Sequence, residues 1–240
     1  GIAHAWHMPG HIFSQLKRYA DAAWQQEASA RVDHAHMTRD RVLPDQIHNY
    51  AHNNEWLIRD LINVGRARDA LSISRNLIEL PRHPDFNELK EWRGSSYFGR
   101  ERMLDVVSRC EMWEELIRLD GSPYVEHVED PALEARLLCL LGVAHFEAGD
   151  VLKGQECLEK LHAMLGAART EQAKAETESE KKARGENKNE AEVEKAEKEA
   201  RDRFEHKIGR LDKCIAEVKL YRALGLGRNG EARTLIEEAK

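Results

Sequence analysis

Cysteine is scarce in this chain and is never arranged in a close pair. The 240 residues include four cysteines, Cys110, Cys139, Cys157 and Cys214, and no C-x-x-C. The sequence therefore has neither the disulfide density of a small secreted domain nor a cysteine-based zinc motif. We expect buried or half-buried free thiols and, by default, a reducing cytoplasmic compartment for this segment.

Long apolar runs and an excess of positive charge are also missing. No run approaches the roughly 20 residues that span a bilayer, so we expect no membrane span. The formal net charge of −6 argues against a nucleic-acid partner, which favours clustered lysine and arginine. The chain begins at Gly1, within what looks like an amphipathic unit, and we therefore expect it to be a segment of a longer protein.

Strand signals are nearly absent, and the apolar pattern repeats in helix pairs. Residues 132–161 read ALEARLLCLLGVAHFEAGDVLKGQECLEKL and match the tetratricopeptide (TPR) pattern. The matching positions are Leu141, Gly142, His145, Gly149 and Gly154. Looser versions occupy residues 11–30, 53–80, 99–119 and 220–239. The pattern places Gly65, Gly149 and Gly227 at the turns of their helix pairs. We predict an all-α protein of about five helix pairs, arranged as a TPR-like right-handed α-solenoid.

A charged segment interrupts this pattern between residues 168 and 207. It is almost entirely Glu, Lys, Arg and Ala, and GENKN at residues 185–189 is a plausible break. Mixed charge at helical spacing favours two solvated antiparallel helices over a disordered block. The predicted organisation is therefore TPR-like repeats over 1–167, a helical hairpin insertion over 168–207 and a last helix pair over 208–240. The alternative role for the hairpin is a docking arm for a partner or for self-association.

Histidines four residues apart occur twice in the first 52 residues. HNYAHNN, residues 48–54, contains His48 and His52, and AWHMPGH, residues 5–11, contains His7 and His11. On a helix such a pair projects from one face, and two imidazoles can converge on zinc or another transition metal. Pro9 lies between His7 and His11 and leaves their common orientation open, because proline can kink or start a helix. His34 and His36 are alternates for the third or fourth ligand.

The same stretch has a second interpretation, because no complete zinc motif such as H-E-x-x-H is present. Polar side chains on the concave face of a repeat array often hydrogen-bond a peptide. The candidate binding residues are His48, Asn49, His52, Asn53 and Trp56. Our leading hypothesis is a non-enzymatic scaffold that binds a protein or peptide there. The alternative is a transition-metal protein that uses His7, His11, His48 and His52. Consecutive repeats place their first helices side by side, so the two histidine pairs are expected to meet.

A family resemblance covers roughly the first third of the chain. It rests on residues 7–37, HMPGHIFSQLKRYADAAWQQEASARVDHAHM, and residues 41–71, RVLPDQIHNYAHNNEWLIRDLINVGRARDAL. These resemble bacterial TPR proteins that carry an H-M-P-(S/G)-H-I element followed by a His-rich first helix in the next repeat. Such repeat regions are often joined to a thioredoxin-like redoxin domain, of which this sequence carries no strand or cysteine signal. If the group carries a histidine site, the matching residues are His7, His11, His48 and His52.

Overall fold

The chain folds into α-helices throughout the part that the structure describes. The computed structural model describes residues 2–81 and 94–238, with the exception of the side chains of Asp45 and His48. The helices are α1 Ala3–Gln15, α2 Tyr19–Asp40, α3 His48–Asn63, α4 Ala67–Glu79, α5 Ser95–Arg109, α6 Trp113–Leu119, α7 Pro131–Glu147, α8 Val151–Gly185, α9 Glu190–Gly225 and α10 Asn229–Glu238. A short 3-10 helix, Pro44–Gln46, precedes α3. No β-strand occurs in these residues, and the predicted all-α class is confirmed.

Each of the five predicted helix pairs is present as a helical hairpin with the same kind of connection. Three residues join α1 to α2, α3 to α4, α5 to α6, α7 to α8 and α9 to α10. The middle residue of each connection has a positive φ; these residues are Lys17, Gly65, Glu111, Gly149 and Gly227. A left-handed residue just past a helix end allows the chain to reverse, and glycine adopts it without steric penalty. The glycines among them are the ones that the repeat pattern placed at turns.

Two compact units are present, Gly1–Glu126 and His127–Lys240. In the first unit α2 packs on both α1 and α3, and α4 packs on both α3 and α5. The first helices of consecutive pairs also meet, since α3 contacts α5 and, to a smaller extent, α1. The core of this unit includes Leu57, Ile58 and Leu61 from α3.

The second unit shows why small residues recur at fixed positions of the repeat. A Cβ on Gly154 of α8 would lie 2.9 Å from the ring of Phe146 on α7, and a Cβ on Gly142 would lie 2.9 Å from Val218 on α9. Both distances are shorter than a carbon–carbon contact. These glycines therefore let three helices approach closely.

The charged segment extends α8 and α9 into an antiparallel pair. The two helices meet at a turn over residues 186–189, where Asn189 caps α9 by accepting the amide hydrogen of Glu192. Small apolar side chains line the seam between the helices; they are Ala168, Ala183, Val193 and Ala200. Ion pairs such as Arg201 to Glu176, 2.9 Å, cross it. Both helices run unbroken through residues 168 and 207, so the charged hairpin is continuous with the helices that carry it.

Candidate metal centre

Helix α1 presents His7 and His11 side by side. Pro9 lies inside α1, which continues from Ala3 to Gln15, so the two histidines keep the four-residue spacing of one helix face. Their ring centroids are 4.1 Å apart, and the two Nε2 atoms approach to 2.5 Å. The orientation that the sequence left open is therefore a converging one.

His52 on α3 completes a group of three imidazoles. Its ring centroid lies 4.8 Å from that of His7 and 6.0 Å from that of His11. One ring nitrogen from each of the three histidines lies within 4.8 Å of the other two. Over residues 2–81 and 94–238 no other three His, Cys, Asp or Glu side chains form such a group. His7 is buried, and the other two are half-buried, so the group opens to solvent on one side.

A buried amide fixes the orientation of the His7 ring. His7 Nδ1 lies 2.7 Å from Oε1 of Gln26 on α2, and Gln26 Nε2 donates to the His7 carbonyl oxygen at 3.4 Å. Because an amide oxygen only accepts, Nδ1 carries the hydrogen and Nε2 is left with its lone pair. Burial lowers the pKa of His7 to about 4, against the opposing effect of the Gln26 hydrogen bond. The ring is therefore neutral near pH 7, the form that binds metals.

Gly10 makes room for this amide. A Cβ at position 10 would lie 2.3 Å from Nε2 of Gln26 and 2.8 Å from its Cδ. Any side chain there would displace Gln26 from His7. The glycine of the H-M-P-G-H element thus allows the hydrogen bond that orients the first histidine.

His52 is oriented by a carboxylate instead. Its Nδ1 lies 3.4 Å from Oε1 of Glu55, one turn further along α3. Glu55 is 4% exposed and receives a hydrogen bond of 2.7 Å from Nε of Arg102 on α5. Burial alone would raise the pKa of Glu55, but the His52 hydrogen bond and the charge of Arg102 together lower it. An ionised carboxylate behind an imidazole is the common outer partner of a histidine ligand.

Two aromatic rings lie next to the histidine group, and one guanidinium stacks on the first of them. Trp56 meets His11 edge to face, with ring centroids 4.2 Å apart, and Phe98 lies 6.3 Å from His52. Arg59 stacks on Trp56 with its Cζ 4.0 Å from the ring centroid. Burial lowers the pKa of His11, and the nearby His52 ring and Arg59 guanidinium lower it further against the opposing effect of the Glu55 carboxylate.

The remaining predicted metal ligands lie elsewhere or outside the described residues. His48 begins α3, but its side chain lies outside the part that the structure describes. His34 is exposed near the end of α2, where its ring lies 6.3 Å from that of Tyr50. His36 is also exposed, and its Nδ1 pairs with Asp40 on the same helix. The structure brings together three of the predicted histidines and leaves these two alternates apart from them.

The predicted peptide-binding residues occupy different environments. Asn53 is 0% exposed, and its Nδ2 donates to Asp33 of α2 at 2.7 Å. Asn49 is half-buried and lines a cavity between the start of α1, the end of α2 and the start of α3. Trp56 belongs to the surroundings of the histidine group. A role for these residues in peptide binding stays a prediction.

Four residues that matter to the geometry were not singled out from the sequence: Gly10, Gln26, Glu55 and Arg102. Glu55 follows His52 by three positions, which places both on one face of α3, so spacing alone could have identified it. Gln26 and Arg102 contact the site from other helices. Their role depends on how α2 and α5 are rotated about their axes, for which the sequence carried no signal.

Comparison with known proteins finds no significant match among protein-family models, curated proteins or solved structures. None of the described helices combines the length and the apolar character needed to cross a membrane.

Proposed function

We propose that the chain binds a divalent transition metal, zinc in the first instance, through His7, His11 and His52. The observation that carries this proposal is the convergence of three ring nitrogens, all within 4.8 Å of one another, from two helices that are distant in sequence. Zinc–nitrogen bonds of 2.0–2.1 Å at tetrahedral angles require nitrogens about 3.3 Å apart. The 2.5 Å between His7 and His11 Nε2 would have to open, and the longer nitrogen separations, up to 4.8 Å, would have to close, both by rotation of the side chains.

The outer partners support the same proposal. Gln26 holds His7 with its Nε2 lone pair facing His11, and the Glu55 carboxylate lies 3.4 Å from Nδ1 of His52. Metal-binding histidines typically hydrogen-bond a carbonyl or carboxylate through the second ring nitrogen. Three nitrogen ligands leave one position of a tetrahedral ion open, as in catalytic rather than structural zinc sites. A bound metal would therefore be able to accept a further ligand.

The decisive experiment is metal analysis of untagged protein purified without chelator. We expect about one equivalent of zinc in the wild type and a loss of most of it in the variant His11→Ala/His52→Ala. His36→Ala is the matched control, because His36 is an exposed histidine on α2 that pairs with Asp40. Circular dichroism would establish that all three proteins are folded. Absence of zinc uptake by the wild type, or equal uptake by the double variant, would refute the proposal.

A thermodynamic measurement provides an independent readout. A ligand that binds the native state at a free concentration 100 times its Kd raises the free energy of unfolding by about 2.7 kcal/mol. We expect zinc to raise the Tm of the wild type and of His36→Ala, and to leave that of His11→Ala/His52→Ala unchanged. A zinc-induced rise of the same size in the double variant would place the binding elsewhere.

We also infer a TPR-like arrangement for the helical hairpins of the first unit. It is supported by the recurring three-residue connections and by the packing of α2 between α1 and α3 and of α4 between α3 and α5. In a right-handed α-solenoid the first helices α1, α3 and α5 share the concave face. The histidines of α1 and α3 would then lie on that face.

A second candidate function, binding of a peptide, is favoured by a different feature. A cavity of about 440 Å³ lies between α2, α3 and α4, with Leu57 and Leu61 at its apolar side and Tyr50, Asn54 and Arg31 among its polar groups. Apolar walls with a few polar groups are typical of ligand pockets. Peptides selected from a displayed library should lose binding to Tyr50→Ala/Asn54→Ala and retain it in His11→Ala/His52→Ala. Equal peptide binding by both variants would exclude this cavity as the peptide-binding site.

A further inference from the structure

We propose that the metal held by His7, His11 and His52 takes a small carboxylate as its fourth ligand, with Arg59 binding the second carboxylate oxygen. This inference rests on the proposed metal binding and adds the chemical class of the exogenous ligand. It follows from the position of one guanidinium relative to the open side of the histidine group.

Arg59 lies one aromatic ring away from a metal-binding imidazole. Its Cζ is 4.0 Å from the centroid of Trp56, and the Trp56 ring is 4.2 Å from that of His11. Trp56 thus contacts both the Arg59 guanidinium and one histidine of the group.

The hydrogen-bonding capacity of Arg59 is not used by the described part of the chain. Over residues 2–81 and 94–238 Arg59 forms neither an ion pair nor a side-chain hydrogen bond, and it is half-buried. The neighbouring Asp60 carboxyl accepts instead from the Ser14 hydroxyl at 2.9 Å. Arg102, on the other side of the site, is committed to Glu55 and Asp105. Arg59 is therefore the guanidinium with donors to offer a ligand.

A carboxylate matches this arrangement better than other small ligands. It can bind the metal through one oxygen and accept from a guanidinium through the other, and the planar guanidinium fits a planar carboxylate. The rings of Trp56 and Phe98 provide an apolar wall for the substituent that the carboxylate carries.

Among the histidine side chains that the structure describes, His4 is the competitor for the same position. It is exposed on α1, one turn before His7, and its ring centroid lies 6.1 Å from that of His7. If His4 became the fourth ligand, the metal would have no position for an exogenous carboxylate. The test must therefore distinguish an internal from an external fourth ligand.

Cobalt(II) in place of zinc makes the coordination sphere visible by absorption. The experiment titrates the 240-residue chain, loaded with one equivalent of cobalt, with acetate and separately with acetamide, which has the same shape and no charge. We expect saturable changes in the visible bands with acetate and none with acetamide. Arg59→Gln should weaken acetate binding roughly tenfold, the effect of losing a hydrogen bond to a charged group, at unchanged cobalt stoichiometry.

Arg66→Gln is the matched control, because Arg66 follows the end of α3 and pairs with Asp69 at 2.7 Å. Its acetate affinity should equal that of the wild type. A cobalt-loaded wild type whose bands do not respond to acetate would overturn the inference while leaving metal binding intact, and so would equal acetate affinity in Arg59→Gln. Failure of the wild type to bind cobalt or zinc would instead refute the proposed function itself.

Discussion

Replacing Gln26 by methionine would test whether the buried amide orients a ligand or only fills space. Methionine has a similar length and shape but offers no acceptor to Nδ1 of His7. His7 is 4% exposed, so its Nδ1–H would be left without a partner at a cost of about 1–3 kcal/mol. Nothing would then keep the hydrogen on Nδ1 or the lone pair of Nε2 turned toward His11. Loss of such an outer partner typically lowers metal affinity by about 10–100-fold.

Ser29→Ala is the matched control for this substitution. Ser29 lies on α2 one turn after Gln26, is 0% exposed and donates to the Ala3 carbonyl oxygen of α1 at 2.8 Å. The substitution therefore removes a buried hydrogen bond from the same interface between α1 and α2 and leaves every histidine contact in place. We expect a stability loss of about 1 kcal/mol and a zinc Kd within twofold of the wild type.

The two effects are separated by measuring stability and affinity on the same proteins. Denaturant unfolding without metal gives the free energy of unfolding, and competition with a chromophoric chelator gives the zinc Kd. We expect Gln26→Met to lose zinc affinity beyond any loss that it shares with Ser29→Ala. If Gln26→Met bound zinc as tightly as Ser29→Ala, the role of Gln26 would be packing alone.

Three further predictions concern other features of the fold. Gly10→Ala should displace Gln26, which would lie 2.3 Å from the new Cβ, and should weaken zinc binding about tenfold in the chelator competition; an unchanged Kd would show that Gln26 can shift without effect. Burial raises the pKa of Asp60 from 3.8 to about 6, so its contribution to stability is present below pH 4 and is lost as the pH rises through 6. The free energy of unfolding of Asp60→Asn, measured in urea, should therefore gain on that of the wild type between pH 4 and 7, by at most ~3 kcal/mol. Parallel pH profiles of the two proteins would contradict the raised pKa of Asp60. Replacing residues 170–206 by a short Gly-Ser linker should leave the oligomeric state unchanged, as measured by analytical ultracentrifugation, because no large hydrophobic side chain is exposed in that range. A change of oligomeric state would show that the hairpin is an assembly arm.

The helical architecture could be predicted from local chemistry, because its turns depend on single residues. Gly65, Gly149 and Gly227 were placed at turns from the repeat pattern, and each has a positive φ. The equivalent positions in the repeats over 11–30 and 99–119 are Lys17 and Glu111, and neither residue type is typical of a turn. The helix pairs were recognisable there from apolar spacing alone.

The candidate site could be predicted only in part, because spacing along one helix does not define contacts between helices. The pair His7 and His11 followed from four-residue spacing once α1 continued through Pro9, and His52 followed from the expectation that first helices lie side by side. The expectation of two complete pairs is not tested, since the His48 side chain lies outside the described residues. The hydrogen bond from His7 to Gln26 requires the rotation of α2 against α1, which no local pattern specifies.

The distribution of the three histidines over two helices would link metal exchange to local unfolding. His7 and His11 lie on α1, which packs mainly on α2 and touches α3 only slightly, whereas His52 belongs to α3. Detaching α1 from α2 would separate two ligands from the third without unfolding the rest of the unit. Amide hydrogens of α1 would then exchange with solvent more slowly when metal is bound. The free energy of opening obtained from their exchange would rise by the free energy of metal binding. The rate at which α1 opens would set an upper limit to the rate of metal release by this route.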